Sequence, residues 1–290
     1  MERSSLRPPR DPMRPGDAVS RFDDGVAVAP LGDGRYRAEV DPRWNIGSAP
    51  NGGYLLAIAV RALRETLPHP DPVSVSGHFP GRVAAGPIDV EAVRVRSGGH
   101  HSTGTASLIQ DGERRVLVTA TFGDLGDADG PTIIQAERPE IPGPDACVRA
   151  VGSVAPVFLQ QFDMRLTPES AGFAVGHRSG RGLMEGWVRF EDGREPDTLS
   201  LVLFADSFPP TMFHLMELPR WVPTIELTVH ARGRPAPGWL QCRFQTRYVI
   251  GGYLEEDGEI WDEMGALVAL SRQLAKVRAE ATPSAAGATQ

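Results

Sequence analysis

The stretch NGGYLLAIAVRALRETL, Asn51 to Leu67, keeps helical spacing of its apolar residues yet is apolar on nearly every side. A helix of that kind must be buried all round, so it predicts a core element wrapped by other structure. Asn51 suits an N-cap, and Pro68 ends the run. Three strand-like segments follow, at 86–96, 103–110 and 115–122. Ser97-Gly98-Gly99 and Asp111-Gly112 separate them, the second a hairpin dipeptide. The first half therefore reads as a buried helix followed by an antiparallel meander.

The second half repeats this order. PDTLSLVLFADSF, Pro196 to Phe208, reads as another buried helix, stopped by Pro209-Pro210. Strands are expected at 222–231, 238–248, 252–261 and 266–276, with a turn at Asp257-Gly258. The pattern His78-x-x-Gly81-Arg82-x-Ala84-x-Gly86 recurs as His230-x-x-Gly233-Arg234-x-Ala236-x-Gly238, and a Gly-Gly pair follows in each copy. A helix wrapped by a curved antiparallel sheet is a hotdog. The expected class is α+β, a double hotdog with two helix-plus-sheet repeats in one chain. Its expected parts are an N-terminal hotdog over 21–124, a Pro-, Gly- and Asp-rich linker over 125–147 and a C-terminal hotdog over 148–277. Disordered tails are expected at 1–20 and 278–290.

Composition narrows the function. A net charge of −7 argues against a nucleic-acid surface. Two cysteines without Cys-x-x-Cys spacing argue against a disulfide framework and fit a reducing compartment. The basic N-terminus lacks an apolar signal region, and no apolar run approaches the ~20 residues that cross a bilayer. A cytoplasmic protein without membrane partners is expected.

The order and spacing of NGGYLLAIAVRAL, IQDGERRVLVTATF, LFADSFPP and LVALSRQLA resemble acyl-CoA thioesterase II and its bacterial relatives over roughly residues 25–277. The resemblance implies hydrolysis of acyl-CoA to free acid and coenzyme A. It also implies a catalytic triple of Asp206, Thr224 and Gln273, with no cofactor. Asp206 is notable without the family as well: it interrupts an apolar helix, where a carboxylate is costly unless paired or used. Burial, and a position at the unfavourable end of a helix dipole, should push its pKa up. Strand alternation in TIELTVH places Thr224, Glu226, Thr228 and His230 on one face and Ile225, Leu227 and Val229 on the other. Without the family, Thr224 and Gln273 are ordinary strand residues.

Gly52 and Gly53 have two readings of equal weight: close approach of a thioester to the helix N-terminus, or tight packing. Gly77-His78-Phe79-Pro80-Gly81 resembles a dehydratase motif, but there the motif precedes its helix and a helix carboxylate completes the pair. Here the order is reversed, and the helix offers only Glu65 in its last turn. The seven histidines show no His-x-x-x-His spacing, so no metal is expected. No Gly-x-Ser-x-Gly elbow is present. The rival readings are an acyl-CoA-binding module without turnover and an enoyl-thioester hydratase or dehydratase using His78. Hotdog sheets often pair through edges or faces, which leaves a homo-oligomer open.

Overall fold

A computed structural model describes residues 19–277 apart from 152–155 and 218–221. Most of both expected tails lies outside these residues. Ser20, at the inner edge of the first, caps a short helix by accepting from the Asp23 amide. In chain order the first half contains α1 (Arg21–Gly25), β1 (Val28–Gly32), β2 (Arg35–Val40), β3 (Asn45–Ile46), β4 (Ala49–Pro50), α2 (Gly52–Thr66), β5 (Asp71–His78), β6 (Gly86–Ser97), β7 (Ser102–Gln110) and β8 (Glu113–Gly123). The second half contains β9 (Val148–Arg149), β10 (Phe162–Leu166), α3 (Pro168–Ala171), β11 (Leu183–Phe190), α4 (Ser200–Phe204), β12 (Thr224–Ala231), β13 (Leu240–Gln245), β14 (Val249–Ile250), β15 (Tyr253–Trp261) and β16 (Leu267–Lys276).

The main strands form one antiparallel sheet in the order β1-β2-β6-β7-β8-β5-β12-β16-β15-β13-β11-β10-β9. Read outward from the centre, β5-β8-β7-β6-β2 is matched by β12-β16-β15-β13-β11. Each half is therefore a hotdog sheet, and the two join edge to edge through β5 and β12. Ser76 lies opposite Thr228 in that junction, and the two are also partners in the repeat, 152 residues apart. A local two-fold relation thus passes through this pair.

The halves differ in their helices. Asn51 accepts from the Tyr54 amide as the N-cap of α2, and the helix runs fifteen residues with Tyr54 to Val60 buried throughout. Gly77 lets it lie directly on β5: a Cβ there would stand 2.2 Å from Leu56 Cδ2. The long second helix expected over 196–208 is instead the five residues of α4. Asp197 caps its first turn, its carboxylate accepting from the Ser200 amide. At its end the Asp206 and Ser207 amides bond three residues back, to Leu203 and Phe204, tightening the chain ahead of Pro209-Pro210. Asp206 consequently sits in the turn after the helix, not within it.

One core serves both halves. Phe22 and Trp44 from the first half pack edge and face against Phe158, Phe162 and Phe190 from the second, and Phe204 of α4 closes the cluster. An ion pair between the exposed Arg234 of the repeated motif and the buried Asp71 adds to the joint: Arg234 donates at 2.8 and 3.0 Å, and Thr198 donates to the same carboxylate at 2.9 Å. Among the described residues no helix is long and apolar enough to cross a membrane.

Candidate active site

The N-terminus of α2 meets the turn that ends α4, and Asp206 is held between them. Its Oδ2 accepts from the Gly53 amide at 2.8 Å and from Asn51 Nδ2 at 2.9 Å. Asn51 Nδ2 also reaches the Asp206 carbonyl at 2.7 Å. Asn51 thus caps its own helix with one side-chain atom and holds the neighbouring turn with the other.

Strand β16 supplies the other side. Gln273 Nε2 donates one hydrogen to Asp206 Oδ1 at 2.8 Å and its second to Thr224 Oγ1 at 2.7 Å. The three residues of the expected triple therefore come together, linked by a single amide group. Thr224 arrives there by a device the strand alternation did not show. Between Thr224 and Glu226 the register slips, so that Thr224 pairs with Ala275 while Leu227 pairs with Gln273. Paired residues share a face, and this bulge at Ile225 turns Thr224 to the inner face with Gln273, away from the outer face of Glu226 and Thr228.

Burial raises the Asp206 pKa to about 6, against the opposing pull of hydrogen bonds from Gly53, Gln273, Asn51 and Gly52. The dipole of α2 presents its positive end to the carboxylate, opposite to the expected effect of α4 alone. The net result is a carboxylate that is ionised at neutral pH but more basic than an ordinary aspartate.

Gly52 and Gly53 sit where this close approach requires them. A Cβ on Gly53 would lie 2.9 Å from Asp206 Cβ and from the Val202 carbonyl oxygen; one on Gly52 would lie 2.9 Å from Asp206 Oδ2. The Gly53 amide is already committed to Asp206, so tight packing accounts for this glycine.

His78 ends β5 in register with Glu226 and Leu117. It is exposed, alternating with the inward Gly77, and so stands on the outer face of the sheet. Glu65 lies in the last turn of α2, paired with Arg61 at 3.2 Å. That turn is roughly 20 Å along the helix from the Asp206 end. No dehydratase-like pair is assembled from these two residues.

Two polar residues beside the triple were not singled out from the sequence. Glu256 on β15 pairs in register with Gln273, and Thr211 bonds to it. A signal was present: the alternation Leu254, Glu256, Gly258, Ile260 sets one acid among inward positions.

The architecture agrees with the comparisons. Residues 40–123 match the family model of the acyl-CoA thioesterase N-terminal domain, and 135–277 match that of the C-terminal domain. A solved structure described as a candidate thioesterase II, from Thermobifida fusca YX, is 33% identical, with a TM-score of 0.83 over 90% of this chain and 98% of that one. A hot dog fold protein from Alicyclobacillus acidocaldarius, 24% identical, superposes with a TM-score of 0.82 over 90% and 99% of the two chains. The thioesterase-like protein TwmA of Talaromyces wortmannii is 24% identical, over 90% of this chain and 93% of its own length. With both domain models matched in order along one double-hotdog sheet, the chain belongs to the acyl-CoA thioesterase family.

Proposed function

We propose that the chain hydrolyses acyl-CoA thioesters by direct attack of a water that Asp206 activates and that Thr224 and Gln273 help to hold. The observation that carries this reading is the sharing of the Gln273 amide between Asp206 Oδ1 and Thr224 Oγ1. Because Thr224 Oγ1 accepts from Gln273, its own proton remains free to donate. A water beside these groups can accept from Thr224 and donate to Asp206 Oδ1, which directs its lone pair toward a thioester carbonyl. As the water oxygen bonds to the carbonyl carbon, Asp206 takes its proton. Collapse of the tetrahedral intermediate breaks the carbon–sulfur bond, giving the free acid and the coenzyme A thiolate. The thiolate regains a proton from Asp206 or solvent, so no strong general acid is needed.

A carboxylate with pKa about 6 suits this role: it stays mostly ionised at neutral pH, and its higher basicity favours proton transfer. Asn51 and Gly53 occupy Oδ2 and leave Oδ1 as the working oxygen. The expected result is steady-state thiol release from acyl-CoA esters, measured over a series of chain lengths. Binding of the same esters without thiol release would instead identify an acyl-CoA-binding module.

A further inference from the structure

Glu256 points inward from β15, beside Gln273 and half-buried. Burial raises its pKa to about 7, and the charge of Asp206 adds to the shift. Two carboxylates so placed are costly to keep, which calls for a reason. The titratable group acting on Glu256 is Asp206; the flanking strand β16 presents Gln273, the residue after β13 is Thr246, and the short turn at Thr211–His214 presents Thr211.

The Glu256 contacts are specific. Its Oε2 accepts from the Thr211 amide at 3.0 Å and from the Thr211 hydroxyl at 2.7 Å. The same hydroxyl lies 2.8 Å from Thr246 Oγ1, which follows β13. Thr211 is fully buried and stands five positions after Asp206. Pro209 and Pro210 occupy the interval, with φ fixed by their rings. Phe208 packs on Phe244, with ring centroids 5.2 Å apart. The segment is thus a short, stiff strut. Asn51 and Gly53 hold its Asp206 end, and Glu256 holds its Thr211 end.

We propose that Glu256 is a positioning residue for Asp206: by clamping Thr211 to β15, it sets the distance between the Asp206 carboxylate and Gln273 on the neighbouring strand. This rests on Asp206 being the base, as read above. A carboxylate shifted by about 1 Å loses on the order of 10²-fold in rate without losing substrate.

The test measures kcat and KM for thiol release, with thermal melts, on Glu256→Ala, Glu256→Gln, Thr211→Val and the Glu256→Ala/Thr211→Val double variant. Glu256→Ala should lower kcat by about 10- to 100-fold with KM nearly unchanged. Thr211→Val, which keeps shape and amide but loses the hydroxyl, should lower it by about tenfold, and the double variant should be no worse than Glu256→Ala. Glu256→Gln still offers an oxygen to both donors and should stay within about threefold of the parent. If Glu256→Ala does not fold, Thr211→Val and Glu256→Gln carry the test. The proposal is overturned if Glu256→Gln falls as far as Glu256→Ala, if Thr211→Val leaves kcat unchanged, or if the change is in KM alone. Asp206→Asn is run alongside. Full turnover in that variant overturns the base assignment and this proposal with it. An inactive Asp206→Asn beside unchanged Glu256 and Thr211 variants overturns this proposal alone.

Discussion

Asp206→Asn should nearly abolish thioester hydrolysis and yet make the protein harder to unfold above pH 6. The loss follows from removing the proton acceptor, which typically costs 10²–10⁴-fold. The gain follows from linkage. Asp206 has a folded-state pKa of about 6, against 3.8 for an ordinary exposed aspartate. Between these values the folded state binds more protons than the unfolded one, so the group's contribution to stability falls as pH rises from about 4 through 6. Fully ionised, the buried carboxylate costs up to about 3 kcal/mol. Asparagine carries no charge, but its amide nitrogen cannot accept from Gly53 or Gln273, which takes back part of the gain. Thermal melts at pH 8 should therefore show the variant more stable by a few degrees, with the advantage gone near pH 4. A variant equally destabilised at both pH values would mean that burial of the charge carries no cost.

Gly53→Ala should damage folding and turnover together, because the added methyl falls between the two helices that hold Asp206. The added Cβ meets Asp206 Cβ and the Val202 oxygen at 2.9 Å and the Leu203 oxygen at 3.0 Å. Two of these are backbone atoms at the end of α4, so no side chain can swing away. Overpacking of this kind costs about 1–3 kcal/mol, more than the roughly 1 kcal/mol that alanine returns in helix propensity. Relief requires α2 and α4 to separate, which also breaks the Gly53 bond to Asp206. Thiol release should fall by about 10²-fold alongside a lower melting temperature. Gly99→Ala, whose Cβ meets nothing within 4 Å, provides the comparison and should be near neutral. Equal behaviour of the two variants would contradict the close approach of the helices.

Much of this design is legible in local sequence. The all-round apolar pattern of Asn51–Leu67 and the hairpin at Asp111-Gly112 place α2 and the β6–β8 meander nearly at their observed bounds, because periodicity and turn chemistry act over a few residues. Asp206 is visible for a similar reason, as a charge among apolar neighbours. What is not legible depends on partners distant in the chain. The shortness of α4 reflects the i−3 bonds of Asp206 and Ser207 ahead of two prolines, whereas its composition resembles that of a longer helix. Thr224 faces inward only through the bulge at Ile225, which pairing with β16 imposes and alternation cannot reveal. Asn51 is readable as a cap, but its grip on Asp206 spans 155 positions. Glu256 stood in plain alternation with Leu254 and Ile260; its purpose becomes apparent only when Thr211 is brought to it.

The central claim is that Asp206 activates water and does not itself attack the thioester. Single-turnover hydrolysis of an acyl-CoA in water labelled with heavy oxygen, with enzyme in excess, distinguishes these courses. Direct attack places one labelled oxygen in the carboxylate of the first acid released, which is the result predicted here. Attack by Asp206 would pass through a mixed anhydride whose hydrolysis at the Asp206 carbonyl leaves an enzyme oxygen in the product. An unlabelled first-turnover acid, with label appearing in Asp206, would contradict the account.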